Sequence, residues 1–256
     1  MSLINNNDLM DTSLGLARVP VCLCLDTSGS MDRIIRGETK ATGQTVYRDG
    51  KEWNVVTGGV SAINDLTAGV KTFLDELRSD EISTYSAEIC IVTFGAGGVK
   101  LVRDFANLNT LDEVPTFRAD GETPMGEAIN LALDRLEEKK KEYQNAGIDY
   151  FQPWLVLMTD GEPNGSTAEL ERAIRRTSSM VLEKKLTVFP VGIGDEAGMG
   201  VLTKLSPKNG PLKIQGTKFK EFFQWLSQSV NRTSQSMPGE TIPLDVAGIK
   251  GWAELG

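Results

Sequence analysis

Two rhythms of apolar residues take turns along this chain, one of short solid runs and one of spaced stripes. Val19 to Asp26 (VPVCLCLD), Ala87 to Phe94 (AEICIVTF), Trp154 to Thr159 (WLVLMT) and Leu186 to Ile193 (LTVFPVGI) are solid runs of strand length. Apolarity on both faces is the mark of a central parallel strand covered on each side. Between them lie stripes at helical spacing. Ile63, Leu66, Val70, Phe73, Leu74 and Leu77 predict a helix over about 60–78, and Met125, Ile129, Leu133 and Leu136 one from Pro124 to about Lys140. Proline suits the first turn of that second helix, and the polar run Glu137 to Glu142 reads as its solvated end. Further helices are predicted over about 167–183 and 219–231, the latter burying Phe219, Phe222, Phe223, Leu226 and Val230. A short strand is expected near 212–214, and the alternation from Val99 to Phe105 suits an edge strand. Pro190 cannot donate to a ladder, so a bulge or one unpaired position is expected there.

Strands alternating with helices predict an α/β fold of Rossmann-like, doubly wound type, with a mostly parallel central sheet and helices on both faces. One segment breaks the alternation. Asp32 to Gly59 is too long for an ordinary strand-to-helix connection. Within it, Tyr47 to Trp53 reads as a β-hairpin turning at Asp49-Gly50, a pair suited to positive φ. The organisation expected is an extension over 1–18, a domain over 19–236 with this insertion at 32–59, and a tail over 237–256. That tail carries Pro238, Pro243, Gly248 and Gly251 and is expected to pack Leu244 and Trp252 on the body.

Composition then removes several chemistries. At 256 residues and 40% hydrophobic content, the chain can bury a sizeable core. It contains no histidine, which excludes Ser-His-Asp and Cys-His nucleophiles and His-ligated zinc. A net charge of -8 argues against nucleic acid or an anionic membrane as partner. The three cysteines lie inside apolar runs and read as small core hydrophobes. Residues 1–18 hold no apolar stretch suited to a signal peptide or a membrane span, so with free thiols the cytoplasm is the expected compartment.

The candidate chemistry gathers where strands end. Asp26-Thr27-Ser28-Gly29-Ser30 follows the first strand directly. In extended backbone positions i and i+2 point the same way, so Asp26 and Ser28 face one pocket, and a turn at Gly29 brings Ser30 round as a third oxygen. Gly121-Glu122-Thr123-Pro124 opens one helix, and Thr159-Asp160-Gly161 follows another strand. Each fragment alone is ordinary turn or cap chemistry, with Thr123 an N-cap and Asp160 a turn residue. All three at successive strand ends put two carboxylates and three hydroxyls at one sheet edge. Such hard oxygens suit Mg²⁺, with Mn²⁺ or Ca²⁺ as alternatives, and do not suit zinc or copper.

D-x-S-x-S after the first strand, the Thr of Gly-x-Thr-Pro and the later Asp-Gly resemble the metal-ion-dependent adhesion site of von Willebrand A domains. Asp26, Ser28, Ser30, Thr123 and Asp160 fill its five ligand positions. The resemblance covers roughly 19–231, includes Val191-Gly192-Ile193-Gly194, and is strongest toward the bacterial TerY-like branch linked by name to tellurite resistance. It implies a non-enzymatic, metal-dependent module in which an acidic residue of a partner protein completes the coordination. It also implies that Thr123 coordinates directly only in a high-affinity state. Kinase, phosphatase or AAA+ assembly components are candidate partners. The 32–59 insertion departs from the family pattern, whose chain enters its first helix soon after the second serine. Glu122 reads as a solvated loop carboxylate, and the insertion's basic residues are nearly cancelled by Asp32, Glu38, Asp49 and Glu52. The enzyme alternative is a haloacid-dehalogenase-like phosphotransferase. That class needs a second acid two residues after the first, and here Ser28 stands there.

Overall fold

In a computed structural model the structure describes residues 15–48, 51–95, 97–110, 114–194, 197–208, 210–214, 218–238 and 253–255. The solid apolar runs became the sheet. Its strands are β1 (Val19–Thr27), β6 (Ala87–Gly95), β7 (Gly98–Asn107), β8 (Trp154–Thr159), β9 (Thr187–Ile193), β10 (Leu212–Ile214) and β11 (Ala253–Leu255). They lie in the order β11-β10-β9-β8-β1-β6-β7. All neighbours run parallel except at the two edges, where β7 and β11 are antiparallel to β6 and β10. Every residue of β1, β6 and β8 is buried, as strands covered on both faces must be.

Alternate side chains of β1 feed two separate cores. Val19, Val21, Leu23 and Leu25 pack toward α1 (Ala62–Arg78) and α6 (Phe219–Ser234), whose Phe73, Leu74, Phe222 and Phe223 fill that side. Cys22 and Cys24 point the other way, to α3 (Met125–Ala146) and α4 (Thr167–Leu182). Cys22, Cys24 and Cys90 are free and fully buried, as expected of core residues. A hydrogen bond with Cys90 pushes the Cys22 thiol up, and burial does the same for Cys24, which keeps both as thiols.

Several boundaries moved. The helix expected to end near Lys140 continues to Ala146 and closes on Gly147 in left-handed conformation. The reason is Tyr143, which is 2% exposed and stacks on Tyr150, so the polar run is the outer face of a helix still anchored beneath. Of the bulge or unpaired position expected at Pro190 the structure has the second, since β8 and β9 pair without a shift through Leu157↔Pro190 while the other side of Pro190 is unpaired. β10 pairs only with Val191 to Ile193, so the far side of β9 is open beside Pro190 and a proline facing it costs no ladder bond. Two short helices had too little periodicity to be read from the sequence, α2 (Glu81–Ser86) and α5 (Met199–Leu205).

The insertion is a double hairpin. β2 (Ile34–Arg36) pairs with β5 (Val60–Ser61), forming a stem directly before α1. Beyond it β3 (Lys40–Arg48) and β4 (Lys51–Thr57) make a separate two-stranded sheet, longer at both ends than Tyr47 to Trp53. The Asp49-Gly50 turn lies outside the described residues, as do Leu244 and Trp252 of the tail. The stem is fastened to the body by an Arg36–Asp65 ion pair and by Ala62 N–H donating to Arg33 O at 3.0 Å. The outer hairpin is largely exposed, including Tyr47 at 76%.

Candidate functional site

From β1 at its centre the chain steps to β6 on one side and later to β8 on the other. Strand order therefore reverses between β1 and β8, and the crevice beyond their carboxyl ends is where open α/β sheets bind ligands. Asp26 is the last residue but one of β1 and Asp160 follows β8, so the two carboxylates meet at that crevice. Asp26 is 0% and Asp160 2% exposed.

Short local bonds set the first loop. Ser28 N–H donates to Asp26 Oδ1 at 2.8 Å, an Asx-type turn that folds the loop back over the carboxylate. A 3-10 turn over Gly29–Asp32 then swings Ser30 inward. Gly29 uses no left-handed φ; instead its N–H reaches Gly121 O at 2.9 Å. Ser28 Oγ and Ser30 Oγ lie 3.1 Å apart, and Ser30 Oγ donates to Asp160 Oδ1 at 2.7 Å. Asp26, Ser28, Ser30 and Asp160 thus form one hydrogen-bonded chain.

Thr123 arrives from the loop before α3 and is 5% exposed. A methyl built on Gly161 would lie 3.9 Å from Ser30 Oγ and 4.0 Å from Thr123 Oγ1. These two hydroxyls therefore face one small cradle, which glycine leaves open. All five residues singled out in the sequence are brought together. Glu122 is exposed, in keeping with a solvated loop carboxylate.

Two residues the sequence reading passed over complete the arrangement. Thr159 is 0% exposed and its hydroxyl donates to Asp26 Oδ2 at 2.5 Å. Asn164 accepts the Thr123 N–H on its Oδ1 at 2.5 Å and returns its own N–H to Thr123 O at 3.2 Å. Thr159 had a signal, standing at the strand end beside Asp160 and parallel to Asp26. Asn164 had none, since its partner is 41 residues away.

Two buried carboxylates dominate the electrostatics of the site. Burial, and after it the charge of Asp160, pushes the Asp26 carboxyl up to about 7, against the hydrogen bonds from Ser28 and Thr159. Among the described residues no three acidic or thiol side chains cluster as a self-sufficient ion cage. A divalent ion here would therefore draw on both carboxylates, the serine and threonine hydroxyls and water, a hard donor set that fits Mg²⁺.

The fold and its crevice define a doubly wound α/β domain. The family model for the von Willebrand factor type A domain matches residues 59–228, more than half of the chain, and the protein belongs to that family. The match begins where the insertion ends, so it contains Thr123 and Asp160 but not the first loop. A search of curated proteins finds no match. Among solved structures the chain is similar to a von Willebrand factor type A protein from Catenulispora acidiphila, at 18% identity and TM-score 0.55, covering 84% of this chain and 43% of that one. It is also similar to the PilB minor pilin from Streptococcus sanguinis, at 14% identity and TM-score 0.54, covering 88% and 64%. A third is the vWF domain of the type V pili tip protein Mfa5 from Porphyromonas gingivalis, at 11% identity and TM-score 0.58, covering 89% and 99%. The chain thus spans less than two thirds of the first two, and at these identities the likeness is one of fold. No helix among the described residues is long and apolar enough to cross a membrane.

Proposed function

We propose that this chain is a divalent-cation-dependent protein-binding module, working without catalysis. In this reading Asp26, Ser28, Ser30, Thr123 and Asp160 hold Mg²⁺, with Mn²⁺ and Ca²⁺ as alternatives. The observation that carries it is the pair of buried carboxylates joined through the Ser28 backbone N–H and the Ser28 and Ser30 hydroxyls at the strand-order reversal. Burying two like charges side by side is costly, and a cation offsets that cost. When bound, the ion supplies a positive centre for a charge-assisted contact with an aspartate or glutamate of another protein.

Residues 19–236 form the binding domain in this proposal. The exposed β3–β4 hairpin, rooted at the end of the same loop, contributes to the choice of partner. The three buried free thiols support a cytoplasmic setting. The resemblance to the TerY-like branch supports a place in a stress-response assembly of the tellurite-resistance type, beside kinase, phosphatase or AAA+ components. Ser28 speaks against the phosphotransferase alternative, because its hydroxyl cannot replace an acid that protonates a leaving group.

Affinity capture from the native host, run with Mg²⁺ and with EDTA on wild-type and Thr123→Ala protein, tests the reading. A partner retained only by wild type in Mg²⁺ supports it. Equal capture in all arms, or Mg²⁺-dependent release of phosphate from a generic phosphatase substrate, overturns it.

A further inference from the structure

We infer that Asn164 is a positioning residue that sets the cation affinity of the site by holding Thr123, an inference that rests on the metal reading above. The loop bearing Thr123 is a strap tied at two places to two different neighbours. At its start, Asp120 N–H donates to Thr27 O and Gly29 N–H to Gly121 O, both at 2.9 Å, which fastens it to the first loop. At Thr123 the attachment passes to the loop after β8. There Asn164 engages both backbone polar groups of Thr123, accepting its N–H through Oδ1 and donating to its carbonyl. Met125 N–H shares that carbonyl at 2.8 Å, so the grip falls at the first turn of α3.

The same two segments are sewn together just beyond. Glu127 Oε1 accepts the Ser166 N–H at 2.8 Å, and a methyl on Gly126 would lie 2.4 Å from Leu170 N. The start of α3 and the start of α4 therefore sit at a fixed separation. What remains adjustable is the Thr123 backbone itself, and its amide is held by one side chain, at 2.5 Å. Asn164 lies four residues after Asp160, so the clamp ties the position of the Thr123 hydroxyl to the Asp160 carboxylate rather than to the first loop. Asn164 is exposed and contributes nothing to the core, so its replacement is compatible with folding. Supporting residues that orient metal ligands commonly change affinity 10–100-fold when removed. An effect relayed through a backbone amide belongs at the low end, about tenfold.

A double-mutant cycle measured by Mg²⁺ titration calorimetry tests this, using wild type, Asn164→Ala, Thr123→Ala and the double variant. Melting temperatures in EDTA serve as the folding control. Asn164→Ala is expected to keep its melting temperature in EDTA, to bind Mg²⁺ about tenfold more weakly, and to have no further effect once Thr123 is alanine. Unchanged affinity in Asn164→Ala, or an equal loss in both backgrounds, would overturn the clamp while leaving the metal site standing. Wild type that binds no Mg²⁺, indistinguishable from Asp26→Ala, would overturn the metal reading and the clamp together.

Discussion

Replacing Asp26 with asparagine should make the protein more stable at pH 8 when divalent cations are absent. Asp26 sits at 0% exposure with its carboxyl pushed from 3.8 up to about 7. Because the folded value is raised, this group favours folding fully below pH 3.8, where both states are protonated. That contribution is lost as pH rises from there through about 7, as the unfolded chain releases a proton that the folded protein retains. At pH 8 the folded protein must hold the charge, at a cost of about 4 kcal/mol for a shift of roughly three units. Asparagine removes the charge and keeps most of the bonding. Its Oδ1 accepts from Ser28 N–H, and its amide donates to Thr159 Oγ1, whose proton then turns to Gly161 O, already 3.3 Å away. Allowing for imperfect geometry leaves about 2–3 kcal/mol, or roughly 5–10 °C in a domain of this size. Thermal denaturation in EDTA should show Asp26→Asn above wild type at pH 8, with the gap narrowing by pH 5.5. Mg²⁺ at about a thousandfold excess over Kd should reverse the order, since only wild type gains from binding, by about 4.1 kcal/mol. A variant no more stable than wild type at pH 8 in EDTA would refute the electrostatic reasoning. An equal Mg²⁺ response in both proteins would refute the site.

Other consequences are simpler to test. Gly161→Ala has an ordinary backbone conformation and should fold, but its methyl enters the cradle between Ser30 and Thr123, so Mg²⁺ titration should show weaker binding than wild type. Gly126→Ala should destabilise by about 1–3 kcal/mol in urea denaturation, because the new methyl meets the Leu170 backbone at 2.4–2.5 Å and cannot be relieved by a side-chain rotation. A change under about 0.5 kcal/mol would mean that α3 and α4 can separate freely. Replacing residues 38–57 with a short glycine linker keeps the β2–β5 stem and should leave folding and Mg²⁺ binding intact while altering which proteins are captured. Unfolding on that deletion would make the hairpin a structural element.

The solid apolar runs and spaced stripes determined by themselves that this is a parallel α/β sheet, because burial on both faces leaves an unmistakable composition in Val19 to Thr27 or Trp154 to Thr159. They also singled out five oxygen-bearing residues, with Asp26, Ser28, Ser30 and Asp160 at or just after strand ends that share one edge, and Thr123 in the loop that opens α3. What they could not determine is whatever depends on who the neighbour is. Tyr143 extends α3 past a polar run only because Tyr150 and the core lie beneath it. Pro190 needs no bulge only because β10 starts one residue later. β11 exists only through its pairing with β10, in a tail with no strand pattern of its own. The raised carboxyl of Asp26 comes from burial first and then from Asp160, 134 residues away, and the grip of Asn164 on Thr123 spans 41 residues. Periodicity reports which face of an element is buried, whereas the strength of a charge or the hold on a loop depends on distances that only the closed sheet establishes.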